Sequence, residues 1–367
     1  MIDIGRKAMD FLCSYMDCKV IWEDQTNWDE LVGQAEVAQI QYKALHLKYQ
    51  ETYFKALNDS YSDISIVIYR GGHPVGIWPL CVWTENDSVY FGSAGIIPRG
   101  GILPPLLPGV HKAEAQRKVF HLCISTLSAF AQSHGTNQLQ FCETVMTSGV
   151  SLWYRMLMEC GGKSVKTAYQ LYTDLKFTTD EIQSRIRRTN KYSIAKGQED
   201  YLIEIYDEKS ENIISEIMEE FRQLHIAVAG RETRDKQTWD VQRMSIERGS
   251  DSIGHSFTVF IRDKRTNSLA GAALFEATPS CAYYCVAAYD RSRFSKPVGH
   301  IVQAAAIDKL KEYGIRWYEL GERFYADNEI ATPKLMDISY YKEGFSTNCF
   351  PKLFVALDIS NIAMEEQ

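Results

Sequence analysis

The stretch Pro297–Gly321, PVGHIVQAAAIDKLKEYGIRWYELG, carries the fold in miniature. Val302, Ala305, Ala306, Leu310 and Tyr313 recur at three- and four-residue spacing, so Pro297–Tyr313 reads as a helix with one apolar side. Gly314 stops it, and Trp317–Leu320 follows as a short strand. Three strand-like segments precede it: Ser256–Arg262, Gly271–Glu276 and Ala282–Ala288, with a loop carrying Asn267 between the first two. An antiparallel meander, a helix and a further strand therefore occur in that order.

Upstream, the same order repeats. Ser65–Tyr69 and Val75–Trp83 flank Gly71-Gly72-His73-Pro74, a hairpin signal, and Val89–Phe91 is a third strand. A helix over Ala113–His134 ends at Gly135, a strand lies near Leu139–Cys142, and a short helix covers Ser151–Glu159. Residues 29–58 are helical in period. Between the two series come a strand at Gln170–Lys176, a basic helix over Thr179–Lys196, a strand at Tyr201–Tyr206 and an amphipathic helix at Ile213–His225. Leu353–Leu357 is a last strand. The halves share no sequence identity, so the duplication is one of architecture. The expectation is an α/β chain with mixed sheets, in two related domains, 1–169 and 170–367.

Composition bounds the rest. The 367 residues are 45% hydrophobic and 24% charged, which excludes disordered, collagen-like and coiled-coil classes. A net charge of −7 means that any nucleic acid must be held by a local patch. Nine cysteines, among them the pairs Cys13/Cys18 and Cys281/Cys285, lack zinc-ligand spacing and read as reduced thiols, with no metal site. The N-terminal stretch lacks the apolar core of a signal peptide, and no run reaches the roughly 18 apolar residues of a membrane span. The expected location is cytoplasmic.

Three segments resemble the FemABX-type aminoacyltransferases: Pro297–Gly321, with its Gly-led helix and a strand ending in Gly; Ile338–Phe345 (ISYYKEGF), similar to that family's F-K-x-x-F signature with Tyr341 in place of the first Phe; and Arg185–Gln198 (RIRRTNKYSIAKGQ), similar to its basic helix. The same segments also fit a sister group of GNAT-like (N-acetyltransferase-like) proteins whose acyl donor is an acyl-CoA or is unknown. The resemblance implies two tandem GNAT-like domains, with the donor site in the second. It further implies an acyl- or aminoacyltransferase that forms an amide on an amine of a cell-envelope precursor, amino sugar or peptide. No tightly bound cofactor is expected; the donor is an acyl-CoA or an aminoacyl-tRNA, and tRNA is a partner in the second case. A non-catalytic ligand-binding or assembly protein on the same scaffold is the alternative.

The candidate residues follow from what acyl transfer requires. Pro297, Gly299, His300 and Ile301 open a helix whose free N–H groups suit an anion, the position the resemblance gives to a cofactor pyrophosphate. Lys342, beside Tyr341 and Phe345, is either the cation for an oxyanion or phosphate, as the resemblance implies, or a surface lysine. Arg187, Arg188 and Lys191 form either a nucleic-acid or sugar-nucleotide patch or a solvated face. His225 accepts the amine proton or caps its helix, and Arg231 and Arg234 in the long charged loop 226–240 hold a carboxylate or phosphate. Glu276, next to Tyr283 and Tyr284 on the following strand, competes with Glu319 and Glu322 as base. GxSxG, Walker A, HExxH and GxGxxG are absent. Gly92, Gly95, Gly100 and Gly101 lack a following Lys-Ser/Thr, so Pro98–Pro108 reads as a cleft-lining loop rather than a phosphate cradle.

Overall fold

The computed structural model describes residues 3–93, 101–146, 149–248, 253–294, 297–328, 330–360 and 362. The chain divides into two compact units, 1–168 with 351–367, and 169–350. The last strand, expected with the second domain, thus groups with the first.

The first unit holds α1 (Ile4–Tyr15), β1 (Cys18–Val20), α2 (Gln25–Gln34), α3 (Ala44–Lys55), β2 (Ser62–Asp63), β3 (Ile66–Arg70), β4 (His73–Trp78), β5 (Cys81–Glu85), β6 (Ser88–Gly92), α4 (Ala113–Ser133), β7 (Gln138–Thr144) and α5 (Leu152–Glu159). Strands β1-β3-β4 form one sheet and β2-β5-β6 another. The expected strand Val75–Trp83 is therefore two strands, and the helical stretch 29–58 is likewise two helices. Residues 94–100, including Gly95, Pro98 and Gly100, lie outside the described residues. The described remainder of the Pro98–Pro108 loop is not cleft lining alone: Ile102, Leu103 and Leu107 are buried in this unit's core. Ile102 bridges Phe141, and Leu106 bridges Ile77.

Two strands carry the chain across the unit boundaries, β8 (Lys163–Asp174) and β14 (Asn348–Asp358). In the first unit β14 pairs antiparallel with β7, from Lys352 opposite Thr144 to Asp358 opposite Gln138.

The second unit adds α6 (Thr179–Arg185), α7 (Arg188–Asp200), β9 (Tyr201–Tyr206), α8 (Glu211–Ala229), α9 (Lys236–Glu247), β10 (His255–Asp263), β11 (Leu269–Ala277), β12 (Cys281–Tyr289), α10 (Val298–Glu312), β13 (Trp317–Glu322) and α11 (Pro333–Glu343). Its strands run in the order β8-β13-β12-β11-β10-β9. The expected basic helix Thr179–Lys196 is two helices. A capping box between Thr178 and Glu181 starts α6, and extended backbone at Ile186 and Arg187 separates it from α7. The expected loop 226–240 is mostly helix, because α8 runs on to Ala229 and α9 begins at Lys236.

Alternation along the strands assigns two faces to this sheet. Phe257, Val259, Phe275 and Ala273 pack with Ile301, Val302 and Leu310 of α10. Phe260, Ala272 and Leu274 pack with Phe221 of α8 and Trp239 of α9. Close approach on the α10 face demands glycine: a β-carbon at Gly197 of α7 would lie 2.2 Å from Ile301 Cδ1.

Two glycines separate backbone strain from crowding. Gly314 has φ +74 with nothing within 4 Å of an added β-carbon, whereas Gly254 has φ +88 with the Ala277 carbonyl oxygen 2.0 Å away. Gly314→Ala is expected to cost about 1–2 kcal/mol from the left-handed conformation alone. Gly254→Ala is expected to cost about 1–3 kcal/mol more, because backbone must move. Urea unfolding of the two variants checks the difference.

Candidate active site

Strand β12 pairs parallel with β13 over only three residues, Cys281–Tyr283 against Trp317–Glu319. Beyond them β12 continues to Tyr289 and β13 to Glu322 without pairing to each other. A bulge shifts the β11–β12 register between Leu274 and Phe275, next to Tyr284. Helix α10 connects the two parallel strands, so its N-terminus stands beside the opening at their C-terminal ends, the usual place for a ligand crevice.

No side chain among the described residues caps that N-terminus. Pro297 has no side-chain cap bond, and the His300 amide is the first N–H turned back, to Pro297 O at 3.3 Å. The amides of Val298 and Gly299 therefore face outward with the positive end of the helix. A cavity of about 390 Å³ lies over them, lined also by Tyr289, Arg291, Phe294, Asp337 and Tyr341. Gly299 permits this approach: a β-carbon there would sit 3.1 Å from Tyr341 Oη and 3.2 Å from Tyr289 Cε2.

The electrostatics of the cavity come from a few groups. Burial pulls His300 down to about 4, with Arg291 adding to the effect and a bond to Pro297 opposing it. The imidazole is therefore neutral at neutral pH. The positive charge at the mouth is Arg291, exposed, its guanidinium without a hydrogen-bond or ion-pair partner among the described residues. Two carboxylates also line the cavity, the exposed Asp337 and the buried Asp290, which pairs with Arg293. The Tyr341 hydroxyl is buried with no partner among the described residues, and burial raises it well above the usual tyrosine range.

A wall of tyrosines runs inward from the cavity. Tyr289 and Tyr284 share a hydroxyl–hydroxyl bond of 2.7 Å, and burial pushes Tyr284 up to about 12. Lys342 Nζ lies 5.2 Å from the Tyr284 ring centroid. Gly321, at φ +104, keeps this space open, since its β-carbon would come within 3.2 Å of that ammonium. The ammonium has no hydrogen-bond partner among the described residues. Desolvation pulls Lys342 from the usual 10.5 down to about 8, with Glu319 pulling the other way.

Glu276, Tyr283, Glu319 and Tyr172 are consecutive lateral neighbours across β11, β12, β13 and β8. Both carboxylates are buried, and Tyr172 donates to Glu319 at 2.9 Å. Glu322 instead accepts from Asn328 at 3.1 Å. The structure thus brings together Lys342, Glu319, Tyr284, Tyr341, Pro297, Gly299 and His300.

Other expected site residues fall elsewhere. Ile301 is fully buried in the core, so only its backbone belongs to the helix N-terminus. His225 packs edge-on against Trp239 at 5.4 Å, and the Arg234 guanidinium stacks on the same ring at 3.9 Å. This cluster belongs to the α8–α9 layer on the opposite face of the sheet from α10. Burial first, then Arg234, lowers His225 to about 4, so it is a poor proton acceptor as well as a distant one. Arg231 is exposed just past Gly230.

The basic patch is largely occupied. Arg187 donates to Tyr340 O at 2.8 Å, stacks on the Tyr340 ring and pairs with Glu343, which holds α11 in place. Lys191 donates to Ser184 O, and Arg185 stacks on Phe177. Arg188 is left exposed and uncommitted among the described residues. Sequence reasoning missed Arg291, Asp337 and Tyr289; the signal was the run YDRSRF (Tyr289–Phe294) between the strand end and Pro297.

No protein-family model and no curated protein matches the sequence. Solved structures do match. The chain is similar to FemX, with a TM-score of 0.62 and 12% identity over 89% of this chain and 94% of that one. It is similar to the C-terminal domain of a protein described as a lysylphosphatidylglycerol synthetase from Agrobacterium fabrum, with TM-score 0.56, 13% identity and coverage of 89% and 92%. L-PGS from Bacillus licheniformis gives 0.55, 10%, and 90% and 91%. At such identities the likeness is one of fold: the chain shares the mixed α/β fold of FemX and of these synthetase domains.

The low lysine value makes stability depend on pH. Between about pH 8 and the usual 10.5 the unfolded chain binds more protons at Lys342 than the folded one, so stability rises with pH across that window. Below it the cost of burying the charge is fully present. Denaturant unfolding of wild type and Lys342→Met from pH 7 to 10 checks this: the gain on raising pH is expected to be smaller in the variant.

Proposed function

We propose that the chain transfers an acyl or aminoacyl group from an activated donor to an amine, forming an amide by direct attack. The observation that carries this reading is the Lys342 ammonium, half-buried against the Tyr284 ring and beside Gly321 where β12 and β13 part, with no hydrogen-bond partner among the described residues. A partly desolvated cation whose donors are unspent suits a negative charge that develops beside it.

In this reading the donor's phosphates sit over the Val298 and Gly299 amides with Arg291 as counter-charge. The acyl carbonyl extends along the Tyr289–Tyr284 wall toward Lys342. As the amine attacks, charge builds on the carbonyl oxygen, and Lys342 stabilises it; a donor of this kind is commonly worth about 10²–10³ in rate. Glu319, held by Tyr172, is the carboxylate placed to take the amine proton, directly or through water. The leaving group departs with the donor's phosphates at the helix end, and no covalent enzyme intermediate is required.

Between the two donors, an acyl-CoA is favoured. Its pyrophosphate matches the uncapped helix and a cavity of about 390 Å³. An aminoacyl-tRNA needs a basic stripe, and the guanidinium of Arg187, like the ammonium of Lys191, is spent inside the unit. The acceptor is proposed to be an amine of a cell-envelope precursor, amino sugar or peptide. One structural neighbour is described as the C-terminal domain of a lysylphosphatidylglycerol synthetase.

A thermal-shift screen with acetyl-CoA, CoA, UDP-sugars and tRNA tests the reading. A shift with the CoA compounds is expected. A shift with tRNA alone would move the donor to aminoacyl-tRNA, and none with any would favour a binding protein. With substrates in hand, Lys342→Ala is expected to lower kcat about 10²-fold or more. Activity should fall above about pH 8 as the ammonium loses its proton, and Lys342→Arg should weaken that alkaline limb, as pH–rate profiles would record.

A further inference from the structure

Cys13 and Cys18 take no part in the chemistry above, yet the fold brings them together. Cys13 lies in the last turn of α1 and Cys18 opens β1. The connection between them is fixed at both ends, by Met16 N–H to Leu12 O at 2.8 Å and by Tyr69 N–H to Asp17 O at 2.7 Å. The two sulfurs stand 3.2 Å apart, in hydrogen-bond contact but not bonded. Cys13 is exposed and Cys18 half-buried. Cys13 also lines a cavity of about 470 Å³ whose wall includes the exposed cations Arg70 and Lys118 together with Asp17.

We propose that Cys13 and Cys18 form a reversible disulfide, with Cys13 as the attacking and Cys18 as the resolving thiol. Exposure and the adjoining cavity give a small disulfide a path to Cys13, while Cys18 sits behind it at a distance that a rotamer change closes. The contact between the sulfurs couples their titration, and the carboxylates of Glu23 and Asp10 face Cys13 while Asp17 faces Cys18. The division of labour follows from access: Cys13 is exposed and lines the cavity, while Cys18 is half-buried behind it. Cys123, near Cys18, is buried and its thiol is pushed up by desolvation, so it stays outside the exchange.

The step balances with a low-molecular-weight disulfide as oxidant. Cys13 thiolate attacks one sulfur, forming a mixed disulfide and releasing the first thiolate. Cys18, giving up its proton to solvent, attacks Cys13 Sγ and expels the second. Two cysteine thiols are oxidised, one disulfide is reduced to two thiols, and the cysteines' protons end on those thiols. The bond ties the end of α1 to the start of β1.

The full chain is incubated with oxidised glutathione, quenched with N-ethylmaleimide and read by intact mass and peptide mapping. The expected result is loss of two hydrogens and of two alkylatable thiols, mapped to Cys13 and Cys18 and restored by dithiothreitol. Cys18→Ser should stall with one glutathionyl group on Cys13, and Cys13→Ser should form no bond. The same reaction in urea should be slower, because only the fold holds the sulfurs together. Continued alkylation of both residues at saturating oxidant, a bond mapped from Cys18 to Cys123, or an equal rate in urea would overturn the proposal.

Discussion

The parting of β12 from β13 is the constraint on which the second unit depends. Two parallel strands that pair over three residues and then separate leave backbone and side chains facing an opening that must be filled or used. The chain fills it with aromatics, Tyr284, Tyr289 and Tyr341, and sets the N-terminus of α10 against it with no cap among the described residues. Glycines at 299 and 321 keep the two spaces where a side chain would collide, one beside the Tyr341 hydroxyl and one beside the Lys342 ammonium. The opening is thus a maintained feature of the packing, with an outer end that suits an anion and an inner end that suits a developing negative charge.

Division of the sheet into two faces settles which polar residues can cooperate. Alternate residues of β10 and β11 go to α10 on one side and to α8 and α9 on the other. His225 and Arg234 are built into the second layer around Trp239, where their stacking stabilises the α8–α9 pair. Arg187 plays the same architectural part for α11, fixing the helix that carries Tyr341 and Lys342. Charged residues close in sequence to a site therefore serve its scaffold as often as its chemistry.

Much of the fold was legible in the sequence because periodicity reports burial. Pro297–Tyr313 has a 3.6-residue pattern with a glycine stop, and the structure holds Val298–Glu312 as helix. Tyr201–Tyr206 and the meander strands were equally plain. What escaped was set by tertiary context. The break between α6 and α7 has neither Gly nor Pro, and depends on Arg187 reaching α11. Helix α9 is polar over much of its length, so KQTWDVQRMSIE carried no clear stripe. At the site, Lys342 and the helix N-terminus stood out through resemblance and glycine spacing. Arg291 and Asp337 did not, since each is an ordinary exposed charge until the fold places both at one cavity.

In the proposed reaction an activated donor lies across the N-terminus of α10 and the adjoining end of β12. Hydrogen–deuterium exchange, run with saturating acetyl-CoA and with a 3′-aminoacylated RNA stem, addresses it directly. The account predicts slowed exchange in Tyr289–Arg291 and Val298–His300 with one of these donors, and none in α8 and α9. Unchanged exchange at those segments with both donors, or slowing confined to the α8–α9 layer, would contradict it.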